Sequence, residues 1–139
     1  MPFDKTAAIE TIMTRDLITL HPKDTLSEVK EVFQSHTIHH IPVVEEDKML
    51  GIVSKTDLDY YERHYDHLSY GKMLEEGQLR LYKLEDVMTK GLATLTPKSP
   101  ISDALELLKE NIFHAIPIEQ EGKLVGIVTP HDIICALAD

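Results

Sequence analysis

Gly51-Ile52-Val53-Ser54-Lys55-Thr56-Asp57-Leu58 and Gly126-Ile127-Val128-Thr129-Pro130-His131-Asp132-Ile133 are two versions of one string. In each, a β-prone triplet runs into a hydroxyl residue, with an aspartate three places further on. The two copies stand 75 residues apart, and the match extends outward without a gap. Met13-Thr14 falls on Met88-Thr89, Thr19-Leu20 on Thr94-Leu95, Pro22-Lys23 on Pro97-Lys98, and Ile41-Pro42 on Ile116-Pro117. From Ile12 to Leu58, 18 of 47 positions are identical to their counterparts. A gapless self-match of this length marks an internal repeat, and two copies are too few for a solenoid. Two small units should instead pack on each other.

Each copy reads as β-α-β-β-α, which places the chain in the mixed α/β (α+β) class. Leu17-Ile18-Thr19-Leu20 is short and β-prone, and Pro22 stops it. Leu26, Val29, Val32 and Phe33 recur at helical spacing between Thr25 and His36, as do Ile101, Ala104, Leu105 and Leu108 in the second copy. Ser99-Pro100 fits an N-cap with a first-turn proline, which makes Asp24 the cap of the first helix. Asn111 suits a left-handed position after the second. A hairpin follows, His40 to Val44 and Met49 to Val53, with Asp47 where the other copy has Gly122, a position suited to positive φ. The expected organisation is repeat 1 over 8–58, a helical connector over 59–85 and repeat 2 over 86–139. In the connector, Leu58, Tyr61, Tyr65 and Leu68 form an amphipathic stripe, and Gly71 and Gly77 suggest breaks. Its histidines His64 and His67, like His36-x-x-His39-His40, lack the further ligands of a recognisable metal spacing, so no metal is expected.

Composition narrows the function. With 24 acids against 14 bases the net charge is −10, and the only arginines are Arg15, Arg63 and Arg80. Nucleic acid rewards clustered cations, so it is not an expected partner. The longest apolar run, Ile133 to Ala138, falls far short of the roughly 20 residues that span a bilayer. The start does not read as a signal peptide, and a lone Cys135 points to a reducing, cytoplasmic setting. No nucleophile elbow, Walker loop or zinc-helix motif is present, so an enzyme is not expected.

The opening string has two physical readings. Ser or Thr with an acid three residues later is a capping box, satisfying orphan amides at a helix start. The same helix start offers free amides and a positive dipole end to a phosphate, while a carboxylate accepts from vicinal ribose hydroxyls. One residue can serve both roles.

Four motifs occur in order in both copies: Met-Thr, Thr-Leu-x-Pro, His-x-Ile-Pro, and Gly-Ile-Val-[Ser/Thr]-x-x-Asp. In these the chain resembles a tandem pair of cystathionine-β-synthase (CBS) domains, a Bateman module, from Ile12 to about Ala138 apart from the connector. The resemblance implies two pseudo-symmetric repeats packed through their sheets, a homodimer, and clefts between repeats that take AMP, ADP, ATP or S-adenosylmethionine. It implies regulation of an attached or associated enzyme, channel or transporter, with no chemistry of its own.

The family pattern assigns the ribose to Asp57 and Asp132. It gives phosphate contact to Ser54 and Thr56 in one copy, and to Thr129 and His131 in the other. Basic residues reaching the phosphates would be His39 and His40, answered in the second copy by His114 and Ala115. Met13, Thr14 and Thr19, with Met88, Thr89 and Thr94, lie where relatives cradle the base; Ile41, Pro42, Ile52, Ile116, Pro117 and Ile127 complete the ligand-binding set. One cleft would use Asp132 with Met13, Thr14, His40 and Ile41, and the other Asp57 with Met88, Thr89, Ala115 and Ile116. The alternative function is a ligand-free structural dimerisation module.

Overall fold

Two hairpins anchor the fold. β1 (His40–Glu45) pairs antiparallel with β2 (Lys48–Ser54), and β3 (Ile116–Gln120) with β4 (Lys123–Val128). Both are closed by two-residue turns at positive φ: Glu46 and Asp47 at 51° and 68°, Glu121 and Gly122 at 53° and 78°. Two successive left-handed residues match the twist of the flanking strands. This computed structural model describes residues 3–68, 79–110 and 113–139. Tyr70, Gly71, Gly77 and Asn111, and the side chains of His64, Tyr65, His67 and Leu68, lie outside the described residues.

The chain divides into two compact units. One is Ile18–Lys90; the other joins Met1–Leu17 to Gly91–Asp139. In the first, α1 (Leu26–Ser35) and α2 (Lys55–Leu68) cover the β1–β2 hairpin, and a short α3 (Leu84–Val87) follows. Leu26, Val29, Ile41, Val43 and Val53 are fully buried there, together with Leu79 and Leu84 from the end of the connector. In the second, α4 (Ile101–Lys109) and α5 (Pro130–Ala138) accompany β3 and β4. Its core comprises Met13, Ala104, Ile116, Ile118 and Val128, with Ile9 from a 3-10 turn at Ile9–Thr11.

The first strand of each copy is shorter than the sequence suggests. Leu17–Leu20 forms no strand; Leu20 alone makes a parallel bridge to Val43. Its N–H donates to Pro42 O at 3.1 Å, and its carbonyl accepts from Val44 at 2.8 Å. Leu95 repeats this on Ile118. The β-prone residues are therefore held at one point only.

The helix caps also fall one residue later than expected. Thr25, not Asp24, is the N-cap of α1: the Glu28 carboxylate accepts from its backbone N–H and from its hydroxyl, each at 2.6 Å. Asp24 closes the preceding turn instead, accepting from His21 N–H at 2.8 Å. Ser99 does the same for Thr96 N–H at 3.1 Å, and Pro100 becomes the cap residue of α4. A short acceptor side chain satisfies a local turn as readily as a helix end. Pattern alone does not distinguish these uses.

An arm completes each unit. Thr89 pairs antiparallel with Ile52 through backbone bonds of 2.9 and 3.0 Å, so Met88-Thr89 runs along β2. Thr14 pairs identically with Ile127 on β4. A Cβ added at Gly51 would lie 2.7 Å from Met88 Sδ and 2.8 Å from Thr89 O; at Gly126, 2.7 Å from Met13 Sδ and 3.1 Å from Thr14 O. Glycine opens the string because the arm crosses there. Behind each arm stands an ion pair, Lys23–Glu85 at 2.8 Å and Lys98–Glu10 at 2.6 Å. The partnering lysine holds each carboxyl below its ordinary value.

Two outcomes follow from this packing. Gly51→Ala or Gly126→Ala should lower unfolding free energy by about 1–3 kcal/mol, the usual range for overpacking, read from urea denaturation. Burial pushes the Glu28 carboxyl up, but its bonds from Thr25 outweigh that and leave it below the ordinary 4.5. A lowered folded value stabilises above the unfolded one and is lost as pH falls through the folded one. The loss caused by Glu28→Gln at pH 7 should therefore shrink steadily below pH 4.5, read from denaturation midpoints against pH.

Candidate ligand site

Both strings place their aspartate in the first turn of a helix that leaves the inner end of a hairpin. In the first unit, Ser54 N–H donates to Asp57 Oδ2 at 2.8 Å, and Asp57 N–H donates to Ser54 Oγ at 3.0 Å. Asp57 Oδ1 has no hydrogen-bond partner among the described residues. In the second unit, Thr129 N–H donates to Asp132 Oδ2 at 2.8 Å, and the Thr129 hydroxyl reaches the same oxygen at 3.3 Å. Pro130 takes the first helical position, where a missing N–H costs nothing. Capping is thus a real duty of both acids. It uses one carboxylate oxygen in each.

The second oxygen is where the units part. Asp132 Oδ1 accepts from the Thr14 hydroxyl at 2.7 Å, so the arm on β4 meets the helix start through a side chain as well as its backbone. Thr89 is the counterpart of Thr14 and has the same backbone pairing, but no hydrogen bond joins it to Asp57 among the described residues. The bond between Thr14 and Asp132 joins residues 118 positions apart.

Within each unit the structure gathers part of the expected set. Met13, Thr14, Ile127, Thr129 and Asp132 come together in one; Ile52, Ser54, Asp57, Met88 and Thr89 lie along the strand, arm and helix start of the other. Thr14, Thr56, Thr89 and His131 are exposed. Ile41, Pro42, Ile116 and Pro117 are buried strand residues, and Ala115, just before β3, is buried as well. His39 and His114 are exposed just before β1 and β3, while His40, the first residue of β1, is half-buried. Thr19 and Thr94 are exposed in the segments leading to Leu20 and Leu95. His131 turns along its own helix to Cys135, Nε2 to Sγ 3.4 Å. Among the described residues no three His, Cys, Asp or Glu side chains cluster to hold a metal.

Sequence reading missed the ion pairs behind the arms and the contact between glycine and methionine. Both carried a signal. Glu10 with Lys98 and Glu85 with Lys23 are related by the same 75-residue offset as the strings themselves. A cavity of about 410 Å³ in the second unit was also unforeseen; Phe3, Ala7, Ile12, Ile101 and Cys135 line it, and Asp132 is the one expected site residue on its wall.

A CBS domain model matches the chain twice, at 9–63 and 84–139. The chain belongs to the CBS domain family, as a tandem pair. It is similar to inosine-5′-monophosphate dehydrogenase of Methanocaldococcus jannaschii, 32% identical over 127 residues, 90% of this chain. It spans only 22% of that dehydrogenase. A CBS domain-containing protein of Dictyostelium discoideum is 27% identical, with 91% of this chain covering 88% of that one. Among solved structures, CBSX2 in complex with AMP superposes with a TM-score of 0.75 at 24% identity, covering 95% of this chain and 96% of that one. The CBS domain of a bacterial CNNM/CorC family Mg2+ transporter in complex with ATP gives 0.76 at 19%, covering 96% and 89%. A CBS domain pair bound to 5′-methylthioadenosine and S-adenosyl-L-methionine gives 0.74 at 21%, covering 96% and 97%. These likenesses establish the fold: two small sheets with helices, arranged as two repeats.

Because each acid caps a helix, Asp57→Ala and Asp132→Ala should each cost about 0.5–2 kcal/mol in chemical denaturation without any ligand. Asp132→Ala should cost the more, since it also strands the Thr14 hydroxyl.

Proposed function

We propose that this chain is a regulatory module that binds an adenosine-containing ligand, AMP, ADP, ATP or S-adenosylmethionine, and passes its occupancy to a partner protein. One observation carries the reading: Asp57 stands in the first turn of α2 with one carboxylate oxygen committed to the cap and the other without a partner among the described residues. Free amides at that helix start suit a phosphate, and a carboxylate suits a ribose diol. Solved CBS relatives in complex with AMP, with ATP and with S-adenosyl-L-methionine support the ligand class. The role is binding and not catalysis. The partner would be an enzyme, channel or transporter: in the matched dehydrogenase the corresponding region is a small part of a larger chain. Homodimerisation and a cytoplasmic setting complete the proposal. No helix among the described residues is long and apolar enough to cross a membrane.

A ligand-free dimerisation module is the second reading. Ile134 and Leu137 favour it, lying 61% and 59% exposed on α5. Thermal unfolding separates the two. Ligand at 100 times its dissociation constant adds about 2.7 kcal/mol, enough to raise the midpoint by several degrees. AMP, ADP, ATP or S-adenosylmethionine should give that rise. The Asp57→Ala, Asp132→Ala double variant should unfold earlier and show no ligand-dependent rise. A double variant that responds like the parent, or a parent that responds to none of the four, removes the ligand reading.

A further inference from the structure

Resting on that ligand reading, we infer that the two aspartates are unequal ribose acceptors, with Asp57 the stronger, and that Thr14 sets the difference by holding Asp132. A ribose presents two adjacent hydroxyls, and a carboxylate binds the pair best by accepting one at each oxygen. An ionised carboxylate has about four acceptor sites. Asp132 has three donors already: the Thr129 N–H and hydroxyl on Oδ2 and the Thr14 hydroxyl on Oδ1, the last at 2.7 Å. The carboxylate of Asp57 has one, the Ser54 N–H at 2.8 Å, and its Oδ1 faces no donor among the described residues. A diol at Asp57 therefore adds bonds. At Asp132 it must first displace Thr14.

The sequence gives no reason for this difference, since threonine and aspartate occupy matching places in both copies. The arms match too: Thr14 and Thr89 make the same pair of backbone bonds, at 2.9–3.0 Å. The hydroxyl of each string accepts from the N–H of its own aspartate, and among the described residues the Thr129 hydroxyl alone also reaches the carboxylate, at 3.3 Å. Thr14 is thus a positioning residue, acting on the ligand through the acid it holds.

The test is calorimetric titration of the full chain with AMP, repeated with 2′-deoxy-AMP, which lacks one of the two hydroxyls. Asp57→Asn should weaken the tighter binding about tenfold, while Asp132→Asn, which keeps a capping oxygen, should leave it within about twofold. Thr14→Val, which loses only the hydroxyl, should strengthen the weaker binding severalfold, and Thr14→Ser should restore the parent value. With 2′-deoxy-AMP the gap between the two should narrow. Equal effects of the two asparagine variants, a tighter phase lost with Asp132→Asn, or a Thr14→Val protein that binds AMP no better than the parent would each overturn the inference while leaving nucleotide binding intact. No heat and no thermal stabilisation of the parent with AMP, ATP or S-adenosylmethionine would overturn the ligand reading itself, and this inference with it.

Discussion

A two-residue arm lying against a strand at a glycine is the contact on which both units depend. Met13-Thr14 on Gly126-Ile127 and Met88-Thr89 on Gly51-Ile52 each use both backbone bonds of an antiparallel bridge. A hairpin alone is marginal in water, and each two-stranded sheet here gains an isolated antiparallel bridge from its arm. The methionine can approach because no β-carbon stands in its way. Its flexible thioether then fills the space above the strand. In the second unit the same approach brings the Thr14 hydroxyl to Asp132 at the helix start.

Asp57 and Asp132 each cap a helix with one carboxylate oxygen. Capping needs a single oxygen, and the cap fixes the carboxylate at the first turn with its second oxygen pointing elsewhere. A binding acid that also caps is pre-organised, so little side-chain entropy remains to be lost when a ligand arrives. The same economy makes the site sensitive to its neighbours. A single hydroxyl within reach of the second oxygen changes what that acid can still accept.

Charge shapes what such a site can take. A chain at −10 with three arginines offers little long-range attraction to a polyphosphate. The local donors that the described residues expose are the hydroxyls of Thr56 and Thr89 and the imidazoles of His39, His114 and His131.

The repeat, both hairpins with the left-handed positions at Asp47 and Gly122, the four longer helices and the Ser54–Asp57 and Thr129–Asp132 capping pairs were legible in the residues, because each is a short-range consequence of period, turn chemistry and the need to satisfy helix-end amides; the short helix Leu84–Val87 and the turn Ile9–Thr11 were not. Leu17–Leu20 misled, since β-propensity says what a segment tolerates and not how much of it finds a partner; only Leu20 did. Asp24 and Ser99 misled because a side chain that can cap a helix can equally close the turn before it. The resemblance already groups Met13 and Thr14 with Asp132; tertiary structure decided that this arm crosses β4 at Gly126, and that Asp132 but not Asp57 gains a threonine hydroxyl. Nothing local encodes either of these outcomes. The Thr14–Asp132 bond needs residues 118 positions apart to meet within hydrogen-bonding distance, and that is a property of the folded chain and not of any local stretch.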